Sequence, residues 1–142
     1  MVDRNLILRK LAQLQEYLGQ VREFEMIGLR EYAGDWKVQR IVERTLQMMI
    51  ELCVDVSNHI IADKKLRVPE SYADTFKVLQ EAGLIDESLQ LVMDKMAKFR
   101  NVIVHHYDKV DESIVLTVLR KHLNDFVVFI DAVVTIVGKS GT

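Results

Sequence analysis

The sequence predicts an all-α fold, an antiparallel helical bundle of four long helices plus one short helix, formed as a single domain over residues 1–142. Three observations carry that expectation. Apolar residues recur at alternating intervals of three and four through four long segments, the spacing that keeps one stripe of a helix against its neighbours. No segment alternates with period two over a useful length, so nothing reads as a half-buried strand. With one proline and six glycines, the chain is also poor in the turn residues an all-β fold needs.

The first segment places Ile7, Leu11, Leu14, Leu18 and Val21 on one stripe, which predicts a long helix to about residue 28. Asp35 offers an N-cap to a second long helix, whose apolar positions Val42, Leu46, Met49, Cys53, Val56 and Ile60 continue the spacing until the polar stretch IADKK. Pro69-Glu70-Ser71 restarts the chain. Ser71 caps a short third helix, YADTFKVLQEAG, which Gly83 stops. Asp86 caps the fourth helix and Asp111 the fifth, with Val115, Leu119, Phe126, Ile130, Val133 and Val137 on its stripe. The end of that fifth helix, VVFIDAVVTIV, is apolar nearly all round, so part of it is expected to face a second chain in a two-fold dimer. The alternative is that the short third helix covers it.

A chain of 142 residues with 49% hydrophobic residues is long enough to bury a core of its own. Its formal charge of −2 supplies no global attraction to phosphate, so any contact with nucleic acid must come from a local basic cluster. The single Cys53, set among Leu52, Val54 and Val56, reads as a buried, inert thiol, and a reducing cytoplasm is the expected compartment. Arg4, Arg9 and Lys10 interrupt the N-terminal apolar residues, which argues against a signal peptide. The run FVVFIDAVVTIV is too short to span a bilayer and carries Asp131. A soluble protein without a membrane partner is expected.

The fourth helix holds an anomaly in the stretch KFRNVIVHHY. Leu89, Met93, Met96, Arg100, Ile103 and Tyr107 share one stripe by spacing, so Arg100 and Tyr107 are expected on a face that methionine and leucine mark as core. Asp94, Lys98, Asn101 and His105 form a polar face. Arg100 and His105 then stand about 140° apart around an ideal helix. Either the arginine arm curls around the helix toward His105, or the helices of two subunits pair so that Arg100, His105 and Tyr107 border one cleft. An arginine on a core stripe needs acceptors, and the second helix offers Glu43, Gln47, Glu51 and Asp55 at helical spacing. Helix-dipole complementarity near a C-terminus could alone account for one or two of the polar residues.

Arg100, Asn101, His105 and Tyr107 match the R-x4-H-x-Y signature of the HEPN ribonucleases, with a polar residue directly after the arginine. Within that superfamily the chain most resembles the HepT toxins, through ERTLQMMIELCVDVSNHII, SYADTFKVLQEAGLID and MAKFRNVIVHHYDKVD. The resemblance implies a metal-independent endoribonuclease that needs no cofactor, leaves a cyclic phosphate and is active as a homodimer or higher oligomer with both motifs in one cleft. It implies His105 as general base or acid at a ribose 2′-hydroxyl. Arg100 would stabilise charge on the phosphate and Asn101 would position the reacting groups. An MntA-like nucleotidyltransferase antitoxin is implied as partner, transferring adenylyl groups from ATP to Tyr107. Tyr107 also reads as a packed ring with its hydroxyl on Arg100 or a carbonyl, and His106 as a packing or capping residue. Two rival functions stand beside this one: a non-catalytic helical dimer that binds a nucleotidyltransferase, and a bundle that uses Arg100 to bind a nucleotide.

The remaining signals are weak. The tail Val137-Gly-Lys-Ser-Gly-Thr142 ends like a phosphate-binding loop, but it follows a helix and lacks the earlier glycine, so it reads as a frayed terminus. His59 and His122 have no second ligand at metal spacing. Met48, Met49, Met93 and Met96 read as core fillers, and Trp36 as an anchor for the start of the second helix or, if its indole is exposed, as a surface on which a base could stack.

Overall fold

A computed structural model of the chain describes residues 3–140, the side chain of Ser140 excepted. All regular structure among these residues is helical: α1 Arg4–Val21, α2 Leu29–Ala33, α3 Trp36–Asp63, α4 Tyr72–Glu81, α5 Glu87–His105, α6 Glu112–Thr117 and α7 Leu123–Ser140. The four long helices and the short α4 are those the sequence predicts. Local chemistry sets their starts. The backbone N–H groups of Lys37 and Val38 donate to Asp35, that of Asp74 to Ser71, that of Leu89 to Asp86 and that of Ser113 to Asp111. Each such cap contributes about 1 kcal/mol. After α4, Gly83 takes φ +73°, a left-handed conformation that costs a residue with a Cβ more than it costs glycine.

The stripes read from the sequence form one core. Ile7, Leu11, Leu14, Leu18 and Val21 of α1 are buried, as are Val42, Leu46, Met49, Cys53, Val56 and Ile60 of α3. Burial also pushes the Cys53 thiol well above its ordinary pKa, which keeps it protonated and unreactive. Met48 departs from expectation: it is only half-buried and lines a cleft with Gln13, Tyr17 and Glu51.

Three expectations are corrected. The first helix ends at Val21 and not near residue 28, because Arg22–Phe24 tightens into a 3-10 turn, held in part by an Arg22–Glu25 ion pair at 3.1 Å. The short α2 follows, burying Tyr32 completely. The fifth helix is interrupted by a π turn at Val118–His122, which inserts a residue between α6 and α7 without breaking the buried stripe. Trp36 does not anchor α3; it is 64% exposed, and the Asp35 cap does that work. Most of the apolar end of α7 is covered within this chain: Phe126, Phe129, Ile130, Val133, Ile136 and Val137 are buried, and Phe129 meets Phe76 of α4, the predicted short helix, edge to face at 6.0 Å. Of the large apolar side chains of α7, only Val128 and Val134 stay substantially exposed among the described residues.

No described helix is long and apolar enough to cross a membrane. The predicted frayed tail is helical through Ser140, and its last two residues lie outside the described residues.

Truncating Phe129 to alanine is expected to lower the unfolding free energy by about 3–5 kcal/mol in urea titration followed by circular dichroism. Tyr32→Phe is expected to stay within about 1 kcal/mol of the parent, because among the described residues no group hydrogen-bonds the buried Tyr32 hydroxyl and nothing is left unpaired by its removal.

Candidate active site

The site is built where α5 crosses α3 and the start of α4. Arg100 leaves the core stripe of α5 and its side chain is only 15% exposed. Its Nε and Nη2 both donate to Oε2 of Glu51, at 2.9 and 2.7 Å. The same oxygen accepts from Gln47 Nε2 at 3.1 Å. The guanidinium carbon lies 4.6 Å from the centre of the Tyr72 ring, within cation–π range. One acceptor and one aromatic face therefore fix the plane of the fork.

Glu51 is one of the four acceptors that the sequence offers. The others are employed elsewhere: Asp55 faces Lys10 and His59, Gln47 supports Glu51, and Glu43, whose carboxyl burial pushes up from its ordinary pKa, lies near Arg40. Tyr72 has no counterpart in the sequence reading. It sits at the first position of α4, held there by the Ser71 cap and by Arg67, which donates to Asp74 at 2.7 and 2.8 Å and to Glu81 at 2.8 Å. The Arg67 hydrogen bonds, reinforced by the Glu70 N–H, bring the Asp74 carboxyl down to about 2, so this brace is charged at any physiological pH.

The rest of the motif follows Arg100 outward. Its Nη1 donates to Asn101 Oδ1 at 3.3 Å. Asn101 and His105 are both exposed, and as i and i+4 residues they are neighbours on one helix face, with Cβ atoms roughly 6 Å apart. The arm of Arg100 thus reaches from the core stripe toward the polar face that Asn101 shares with His105. Of its five N–H groups, two are spent on Glu51 and one on Asn101, leaving two free for an anion.

Tyr107 is not on the core stripe. The helix ends at His105, His106 turns off with φ −136° and ψ 45°, and Tyr107–Lys109 forms a separate 3-10 turn. Tyr107 is consequently 75% exposed and not packed on Arg100. His106 is exposed, its N–H closing the last helical turn onto Val102. The helical spacing misplaced Tyr107 because periodicity cannot report where a helix stops. His122 pairs with Asp125 at 2.9 Å and lies apart from the motif.

Fold and motif together define a HEPN-type helical bundle, and solved structures agree. The chain has a TM-score of 0.85 and 31% identity to the tri-AMPylated Shewanella oneidensis HEPN toxin solved in complex with MNT antitoxin, over 95% of this chain and 99% of that one. It is 32% identical over 129 residues to the mRNA nuclease HepT of Shewanella oneidensis, covering 91% of this chain and 96% of that protein. It is 28% identical over 136 residues to the tRNA nuclease HepT of Aphanizomenon flos-aquae, covering 91% and 88%. The family model described as Ribonuclease HepT-like matches residues 14–133. The chain belongs to the Ribonuclease HepT-like family.

Glu51→Ala and Arg100→Ala are each expected to destabilise the fold by about 1–3 kcal/mol, since each strands a half-buried partner. The double variant is expected to lose less than the sum, by about 1 kcal/mol or more, in a double-mutant cycle measured by denaturant unfolding.

Proposed function

We propose that this chain is an endoribonuclease toxin of a HepT/MntA-type pair, acting without metal at a cleft between two copies of itself. The observation that carries the reading is the Arg100 fork: it is anchored on Glu51, yet keeps two N–H groups free beside the face that holds Asn101 and His105. A half-buried guanidinium with an open edge suits a phosphodiester, whose oxygens accept two parallel hydrogen bonds. The nuclease names of its relatives support the same chemistry.

In this mechanism His105 accepts the proton of a ribose 2′-hydroxyl as that oxygen attacks the adjacent phosphorus. Arg100 stabilises the charge that builds on the non-bridging oxygens, and Asn101 orients the groups between them. The bond from phosphorus to the 5′-oxygen breaks and that oxygen takes up a proton, returned by an imidazolium. The products are a cyclic phosphate and a 5′-hydroxyl. Pairing two chains would place a second His105 across the cleft, so that one imidazole serves as base and the other as acid.

Tyr107, 75% exposed on its turn beyond α5, is open to modification by a nucleotidyltransferase partner. Its phenolic oxygen attacks the α-phosphorus of ATP, pyrophosphate leaves and the phenolic proton is lost. The added adenylate sets a bulky anion beside the motif and repels the RNA backbone.

Purified protein is expected to cut RNA in the presence of a chelator and to release cyclic-phosphate ends. His105→Ala should reduce the cleavage rate at least a hundredfold while the helical circular-dichroism spectrum is unchanged. Equal cutting by that variant contradicts the assignment. Incubation with an MntA-like partner and ATP should add adenylate at Tyr107, located by mass spectrometry, and Tyr107→Phe should escape both the modification and the inhibition.

A further inference from the structure

We infer that the N-terminal half of α3 is a binding track for single-stranded RNA flanking the cleaved bond, an inference that rests on the ribonuclease reading above. Glu51, which holds Arg100, marks an outward-facing line on α3. One heptad earlier stands Arg44, within about 20° of Glu51 around the helix and about 10 Å away along its axis. Arg40 and Lys37 continue the line toward the start of α3, each within about 40° of it. All three side chains are exposed. Among the described residues none of them forms an ion pair.

The opposite direction from Glu51 is different. Asp55 comes next and is paired with Lys10, and Asn58 and Ala62 follow, so the line carries no cation there. Its charge therefore changes at the Arg100–Glu51 pair, and the positive half runs one way only.

That way is toward the rest of the motif. Arg100 meets Glu51 at one level of the bundle, and Tyr32 and Glu43 feel the charge of Glu112 at another, which sets α3 antiparallel to α5. His105 lies five residues, about 7.5 Å, beyond Arg100, the level that Arg44 reaches on α3. At the far end of the line Trp36 presents an indole that is 64% exposed, with Lys37 Nζ 5.8 Å from its centre. Exposed cations outside any ion pair, ending at an exposed indole, suit a polyanion with stackable bases, since the phosphates meet the cations while a base meets the open face of the indole. On a chain of net charge −2, this line is the kind of local basic cluster that RNA binding requires.

The test uses the full chain carrying His105→Ala, so that RNA is bound without being cut. Its affinity for an unstructured RNA oligonucleotide is measured by fluorescence anisotropy across a salt series. Adding Lys37→Gln, Arg40→Gln and Arg44→Gln together is expected to raise Kd at least tenfold. It should also lower the slope of log K against log salt by about 2, because each phosphate contact on a single strand contributes roughly 0.7. Trp36→Ala alone should raise Kd about tenfold with the salt slope unchanged. The control variant Arg9→Gln, Lys65→Gln, Lys77→Gln makes the same change in net charge at other exposed sites and should bind as the parent does. Parent-like binding by the α3 variant overturns the inference, including the case in which it loses only a protein partner. So does an equal loss in the control, or a changed oligomeric state accompanying the loss. If the His105→Ala parent binds no RNA, the ribonuclease reading itself fails and the track with it.

Discussion

A guanidinium set on a stripe built for leucine and methionine is the constraint around which this molecule is arranged. Left without acceptors it would cost several kcal/mol in lost hydration, and Glu51 supplies the compensation by taking two of its N–H groups on one oxygen. The consequences spread outward. Glu51 must stay oriented, which Gln47 assists. The plane of the fork must be fixed, which the Tyr72 ring does. Tyr72 must in turn be held at the head of α4, which requires the Ser71 cap and the Arg67 brace across Asp74 and Glu81. Three helices and one connector are thereby committed to the pose of a single side chain, as expected where precise geometry serves chemistry.

Most of the fold was legible because it follows from local rules. Cap residues and three-four spacing located the starts of the second to fifth predicted helices and nearly all of the core, since both signals depend only on neighbours along the chain. What the sequence hid depends on contacts across the chain. The 3-10 turn after Val21 and the short α2 exist because Tyr32 finds a buried place between α3 and α6, which no window of neighbours reveals. The π turn at Val118–His122 preserves the buried stripe on both sides, so it leaves the periodic pattern undisturbed and unseen. The apolar girth of α7 suggested a second chain, whereas α4 reaches over to cover part of it.

At the site the structure brings together some of the residues that the sequence singled out and sets Tyr107 apart. Arg100 was legible as an anomaly on its stripe, and Glu51 as one of four acceptors at helical spacing. Spacing could not choose among the four, because Lys10 claims Asp55 from a different helix. Tyr72 gave no signal, since a residue in a first helical turn carries no periodic mark. Tyr107 was placed on the core by extending a helix that in fact stops at His105. The same end of the helix leaves Tyr107 exposed on a separate turn.

These elements give one physical account of a Ribonuclease HepT-like chain. The pair with Glu51 turns Arg100 from a buried liability into a fork with an open edge, and Asn101 passes that edge on to the His105 face. The account is tested most directly by a crystal structure of the His105→Ala protein bound to an RNA with a 2′-deoxyribose at the cleavage position. It requires a phosphate oxygen within hydrogen-bond distance of the free Arg100 nitrogens, with the Glu51 contact intact and residue 105 facing the 2′ position. A phosphate bound away from Arg100, or an arginine that must release Glu51 to reach it, would contradict it.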